Sequence, residues 1–195
     1  VVIIGAGPAG IFTAYELLES GKKPSILMVE KGEPVERRRC PKAQVGHCVG
    51  CQPCHITTGF SGAGAFSDGK LSLSPEVGGD LPSLIGEDTA QSLIHYADQI
   101  YLNFGADTHV EGIGNEEAVR EIRKRAIRAG LRLVDCPIRH LGTEKAQEIY
   151  YAIEQDLLGR GVEMLFRTEC TGVRIENGVC CGVELRQGDR EWEIE

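Results

Sequence analysis

Positive charge is in short supply: 21 Lys and Arg stand against 29 Asp and Glu, a formal net charge of −8. Such a chain offers a phosphate backbone no general attraction, and its basic residues are scattered apart from Arg37, Arg38 and Arg39. Nucleic acid is therefore not an expected partner. Long hydrophobic runs are lacking too, since none approaches the roughly 18 residues that span a bilayer, and no basic segment leads into a small-residue cleavage site. A membrane is not an expected partner either, and the expected location is cytoplasmic. Also missing are a Ser-His-Asp set, an HExxH pair and paired carboxylates at motif spacing, so no catalytic motif names a substrate. No internal repeat or low-complexity tract is present.

What remains is an ordinary soluble composition, 42% hydrophobic and 26% charged over 195 residues, enough for one large domain or two small ones. The 8 cysteines are expected to be mainly reduced or ligated. Val1 already lies in an apolar strand and Glu195 in a strand-like stretch, so the chain reads as a truncated piece of a longer protein.

Val1 to Ile4 is a β-branched run suited to a central parallel strand. It leads into Gly5-Ala6-Gly7-Pro8-Ala9-Gly10, a GxGxxG, and then into a helix with Ile11, Ala14, Tyr15 and Leu18 on one face and Gly21 near its end. Gly5 permits the turn, Gly7 lets a pyrophosphate approach the backbone, and Gly10 lets helix and strand pack closely. The helix N-terminus then presents unpaired N–H groups and positive dipole charge to the anion. Ser25 to Val29 supplies a second strand ending at Glu30, whose carboxylate suits ribose hydroxyls. The motif alone does not separate FAD from NAD.

Residues Gly59 to Leu73 read GFSGAGAFSDGKLSL, a loop in which backbone N–H groups can crowd a ligand. On their own, Ser67, Asp68 and Lys70 read as a solvated turn. With GAGPAG and the VEKG at Val29 to Gly32, however, this stretch resembles the uncharacterised FAD-dependent dehydrogenases, a branch of the two-dinucleotide-binding-domain flavoproteins within the NAD(P)/FAD-dependent oxidoreductase superfamily. The likeness continues through His140-Leu141-Gly142-Thr143 and Gly161-Val162-Glu163. It implies FAD as the tightly held cofactor, with Gly5, Ala6, Gly7, Pro8, Ala9 and Gly10 on the pyrophosphate and Glu30, beside Lys31, on the adenosine ribose. It further implies that Gly62, Gly64, Ala65, Ser67, Asp68, Gly69 and Lys70 line the flavin, and that Cys170 meets the adenine through its backbone. NAD(P)H is a candidate co-substrate, and a small molecule or an electron-transfer protein a candidate partner.

Cys40, Cys48, Cys51 and Cys54 form C-x7-C-x2-C-x2-C in a Pro- and Gly-bearing segment that reads as loop. Four thiols this close are a ligand set, for an iron-sulfur cluster or for zinc, with free or disulfide-bonded thiols as the alternative. His47 and His55 read as bystanders.

Farther on, Thr89 to Phe104 and Glu116 to Ala129 carry helical stripes, the second with Asn115 as N-cap, and Leu131 to Val134 reads as a strand. Thr143 begins a helix with Ile149, Ile153 and Leu157 inward, and Val162 to Phe166 returns as a strand. Asn177-Gly178 and Gly188-Asp189 then divide a three-stranded meander. The expected fold is α/β: a Rossmann-type FAD-binding domain of parallel sheet plus antiparallel meander (1–72 and 141–195), with an inserted small α+β substrate-type domain (73–140). His140, at the exit of that insertion, is the candidate for acid/base work. The expected function is FAD-dependent oxidoreductase. A nicotinamide-only dehydrogenase, a flavin-dependent RNA-modifying enzyme and a non-catalytic four-cysteine metal scaffold are the alternatives.

Overall fold

The computed structural model describes residues 1–195, which divide into two compact units, 1–67 with 150–195 and 68–149.

In the first unit the chain runs β1 (Val2–Ile4), α1 (Pro8–Glu19), β2 (Leu27–Val29) and α2 (Lys42–Val45). The second unit holds β3 (Lys70–Ser72), α3 (Leu81–Ile85), α4 (Glu87–Asn103), α5 (Glu116–Arg128) and β4 (Ile138–His140). The boundary falls inside α6 (Thr143–Gly159), after which the first unit resumes with β5 (Glu163–Leu165), β6 (Glu169–Glu176), β7 (Val179–Gln187) and β8 (Arg190–Ile194).

β1, β2 and β5 form a parallel sheet in the order β1-β2-β5, with Val2 opposite Leu27 and Leu27 opposite Glu163. Ile3, Met28 and Val29 are buried, as strands covered on both faces require. β6, β7 and β8 make the antiparallel meander. Asn177 and Gly178 both take left-handed φ, 51° and 80°, the primed turn whose twist matches a hairpin. Val29 of the parallel sheet packs with Val183 and Leu185 of the meander, and Leu27, Leu165, Trp192 and Ile194 close around them. Each fully buried aliphatic side chain there contributes roughly 1.5–3 kcal/mol.

In the second unit β3 pairs antiparallel with β4, Lys70 opposite His140. This ladder continues backwards: Leu141 N–H donates to Gly69 O and Gly142 N–H to Asp68 O. Arg139 and Asp98 form a buried ion pair, both side chains 5% exposed, with Arg139 Nη1 also donating to Asp107 O. Leu131 to Val134 is not a strand: Leu131 is 66% exposed, its N–H turns back to Ala126 O at the end of α5, and strand pairing starts only at Ile138. Asn115 stands at the start of α5 but its side chain makes no capping bond. The segment with the four cysteines, expected to be loop throughout, contains the single turn α2, closed by Gly46 at φ 80°. No helix is long and apolar enough to cross a membrane.

Candidate functional site

The chain leaves β1 with Gly5 N–H donating to Val29 O at 2.8 Å, which carries it across the end of β2. Gly7 is the N-cap of α1, Pro8 its first residue, and no side chain caps it. Ile11 N–H makes the first helical bond, to Gly7 O. Pro8 has no N–H, so Ala9 and Gly10 carry the leading amides without an intrahelical partner. A Cβ on Gly10 would sit 2.0 Å from Gly5 O, so only glycine lets helix and turn approach this closely. A Cβ on Gly7 would meet nothing within 4 Å, leaving that backbone open to a ligand.

Glu30, 7% exposed, is bound to the motif itself: Ala6 N–H donates to Oε2 and Gly32 N–H to Oε1, each at 2.8 Å. Each carboxylate oxygen keeps acceptor capacity beyond these single bonds. The donor-lined turn, bare Gly7 and this carboxylate fit the diphosphate and ribose of an adenosine dinucleotide.

The loop after the cysteines lies against the same turn. Ser61 N–H donates to Ala6 O at 2.8 Å, and a Cβ on Gly62 would be 3.7 Å from Gly7 Cα. Ser61 is fully buried with φ 74°, a strained backbone for a residue with a side chain. Arg38 holds it there. The Arg38 guanidinium donates to the carbonyls of His55, Ile56 and Phe60 and to Ser61 Oγ, and stacks 4.4 Å from the Phe66 ring centroid. Burial pulls its pKa down to about 10, with Glu30 opposing that fall. Sequence reasoning missed Arg38.

The other expected residues divide between the units. Gly64 and Ala65 form a 3-10 turn in the first, and Ser67 Oγ bonds back to Gly64 O. Asp68, Gly69 and Lys70 belong to the second. Asp68 and Lys70 form an exposed ion pair there at 3.2 Å. His140 lies in β4, its Nε2 3.6 Å from Glu111 Oε2. Cys170 is half-buried against the core between the sheets, its thiol donating to Gly172 O.

Comparison with solved structures tests the architecture. The 3-ketosteroid-Δ4-(5α)-dehydrogenase from Rhodococcus jostii RHA1, solved with 4-androstene-3,17-dione, matches 98% of this chain and 42% of its own at TM-score 0.58 and 12% identity. CabE, an aromatic hydroxylase from angucycline biosynthesis, matches 99% of this chain and 28% of its own at TM-score 0.50 and 17% identity. The chain shares its fold with these two enzymes. This chain spans less than half the length of either protein. In sequence, an uncharacterized protein of Clostridium beijerinckii is 42% identical over 72 residues, 36% of this chain and 13% of that protein. No family profile matches.

A cavity of about 310 Å³ follows the Glu30 strand end, lined by Lys31, Gly32, Arg38, Gln52, His55 and Arg167. Lys31 thus faces the cavity from the residue after Glu30. On α6, Glu154 is 2% exposed and accepts Val35 N–H at 3.1 Å. Burial pushes its carboxyl up to about 7, the Val35 N–H opposes, and repulsion by Glu36 adds. A raised folded pKa means that the native state holds a proton the unfolded chain has released. Its contribution is complete below the ordinary value of 4.5 and is lost as pH rises through about 7. We expect the wild type to lose on the order of 2–3 kcal/mol through this group between about pH 4 and pH 8. Urea melts of Glu154→Gln should show that fall removed; an unchanged pH slope contradicts the assignment.

All four thiols of the cysteine segment are free, Cys48 and Cys54 exposed and Cys40 and Cys51 half-buried. Hydrogen bonds from the N–H groups of Ile56 and Thr57 and from the Thr57 hydroxyl hold the Cys54 thiol below its usual range, with Arg38 assisting. No three His, Cys, Asp or Glu side chains stand close enough together to hold a metal ion.

Proposed function

We propose that the chain forms the ADP-gripping part of an FAD-dependent oxidoreductase acting on a small molecule or an electron-transfer partner, with NAD(P)H as a candidate co-substrate. The observation that carries this reading is the position of Glu30, anchored to Ala6 N–H beside the uncapped start of α1. Bound FAD supplies the two-electron and one-electron chemistry of its isoalloxazine, while the protein supplies position and electrostatics. The amides of Ala9 and Gly10 and the α1 dipole offset the diphosphate charge. Glu30 accepts from the ribose hydroxyls and, being anionic, disfavours a 2′-phosphate at that position. Arg38 holds Ser61 and Phe60 against the motif, so the loop meets the cofactor already ordered. In the second unit His140, with Glu111 beside it, is the side chain suited to move a proton.

The test is FAD binding by the full chain, read by flavin absorbance and by titration of FAD against NAD. Wild type should retain FAD in preference to NAD, and Glu30→Gln should weaken FAD binding by about 10-fold or more through loss of charge-assisted ribose bonds. Tight NAD binding without FAD would instead establish a nicotinamide dehydrogenase. Unchanged FAD affinity in Glu30→Gln would remove Glu30 from the site.

A further inference from the structure

Arg38 is a buried cation without a counter-charge. It is 3% exposed, yet the groups that accept its hydrogen bonds are the carbonyls of His55, Ile56 and Phe60 and the Ser61 hydroxyl, all of them neutral. Glu30 favours its charge through space but forms no ion pair with it, because the Glu30 carboxylate is held by the amides of Ala6 and Gly32. Buried charges are ordinarily paired, since an uncompensated one is costly. The hydrogen bonds of Arg38 satisfy its donors and leave its charge unanswered.

Arg38 lines the cavity that follows the Glu30 strand end, and two further cations, Lys31 and Arg167, line the same space. Arg167 is a non-glycine residue at φ 55°, fixed there by its N–H, which donates to Gly32 O at 2.9 Å. Strain of this kind persists only where the surroundings over-determine it, and it gathers at ligand sites. A single carboxylate faces the three cations: Glu33, 3.6 Å from Arg167 Nε, which offsets one of them. In a chain of net charge −8 the wall of this cavity is therefore positive. Gln52 and Thr58 add an amide and a hydroxyl. Neither Glu30 nor any residue of the Gly5–Gly10 turn lines it, so the space is distinct from the grip on the dinucleotide.

We propose that this cavity binds a small phosphomonoester, its phosphate held by Lys31 and Arg167 and its charge balancing that of Arg38. Three cations less one carboxylate leave two positive charges on the wall, which a phosphate group of about −1.5 to −2 at neutral pH matches better than a single carboxylate does. The fork of Arg167 suits phosphate oxygens geometrically, and the ammonium of Lys31 acts as a point charge. At about 310 Å³ the cavity sits at the lower end of the roughly 300–1,000 Å³ of small-molecule sites, room for a small organic group beside the phosphate.

The experiment is calorimetric titration of the full chain, with and without FAD, using glycerol 3-phosphate, inorganic phosphate and lactate as probes. Glycerol 3-phosphate should bind with a Kd of about 1 mM or tighter, inorganic phosphate about 5-fold more weakly and lactate at least about 10-fold more weakly. Added salt should weaken all three. Arg167→Gln and Lys31→Gln should each weaken glycerol 3-phosphate about 5- to 10-fold, while Lys22→Gln, exposed and outside the cavity, should leave it unchanged. Arg38 is left intact because it holds the fold around Ser61. Saturating FAD should change the Kd for glycerol 3-phosphate by less than about 2-fold. Absence of binding, lactate bound as tightly as glycerol 3-phosphate, or wild-type affinity in both glutamine variants would each overturn the proposal. Inorganic phosphate bound as tightly as the ester would overturn the ester in favour of the free ion, and displacement by FAD would return the cavity to the cofactor. A chain that takes up glycerol 3-phosphate but no FAD would sink the flavin reading and leave this one standing, so the two failures are told apart.

Discussion

Gly7→Ala should abolish FAD retention while leaving the melting temperature of the ligand-free chain unchanged, whereas Gly10→Ala should lower both. The two glycines belong to one motif but do different physical work. A methyl at position 7 enters open space, with no atom within 4 Å, and the backbone there has φ −74°, which alanine adopts freely. It costs the fold nothing, yet it fills the face across which a pyrophosphate must reach the backbone. The expected loss of FAD affinity is about 100-fold or more, which is about 2.7 kcal/mol or more. A methyl at position 10 arrives 2.0 Å from Gly5 O and 3.2 Å from Ile3 Cγ2. Neither is the free end of a flexible chain, so α1 must move off β1, with the cost of overpacking at about 1–3 kcal/mol or above. Differential scanning calorimetry without FAD and flavin titration together separate the two variants. Equal melting temperatures for Gly10→Ala and wild type would refute the close contact, and normal FAD binding by Gly7→Ala would refute the open approach.

That motif was legible because everything it needs is local: a strand, a turn and a helix start are encoded within consecutive residues, and Glu30 follows from the strand register. The meander was legible for the same reason, through Asn177-Gly178. Arg38 was not. It sits between Arg37 and Arg39, both exposed, and only the carbonyls of His55, Ile56 and Phe60, delivered by a distant stretch of chain, decide which arginine is buried. Asp98 did leave a signal, a carboxylate on the stripe formed by Ile94, Ala97 and Tyr101, and such a residue needs a buried cation; Arg139 is that cation. Glu154 follows the same rule on α6, one turn beyond Tyr150 and one residue beyond Ile153. Leu131 to Val134 shows the opposite failure. Its apolar residues favour a strand, but a strand exists only where a neighbour supplies hydrogen bonds, and the partner edge of β3 is taken by Ile138–His140.

Arg38→Met should be the most damaging single change in the first unit. Methionine fills much of the same space but donates to nothing, so the carbonyls of His55, Ile56 and Phe60 and the Ser61 hydroxyl lose a shared donor in a site where Arg38 is 3% exposed. Leaving a buried acceptor unpaired costs about 1–3 kcal/mol, so with partial rescue by water the summed loss is about 3–5 kcal/mol. Arg38→Lys keeps the charge but replaces a planar fork by one ammonium, which cannot reach carbonyls on several sides and stacks less well on Phe66. It should recover less than half of the loss. Ser61 supplies the physical link to function: its backbone is held at φ 74° only while Arg38 grips Phe60 O and Ser61 Oγ, and relaxation of that strain withdraws Ser61 N–H from Ala6 O. The variants should therefore weaken FAD binding in the same order as they lose stability, Met more than Lys. Urea midpoints, with the slope checked for constancy, measure the first effect and flavin titration at a denaturant-free baseline the second. A wild-type midpoint for Arg38→Met would show that the guanidinium does not hold the loop. A stability loss with wild-type FAD affinity in the folded fraction would show that the loop is held for the fold alone.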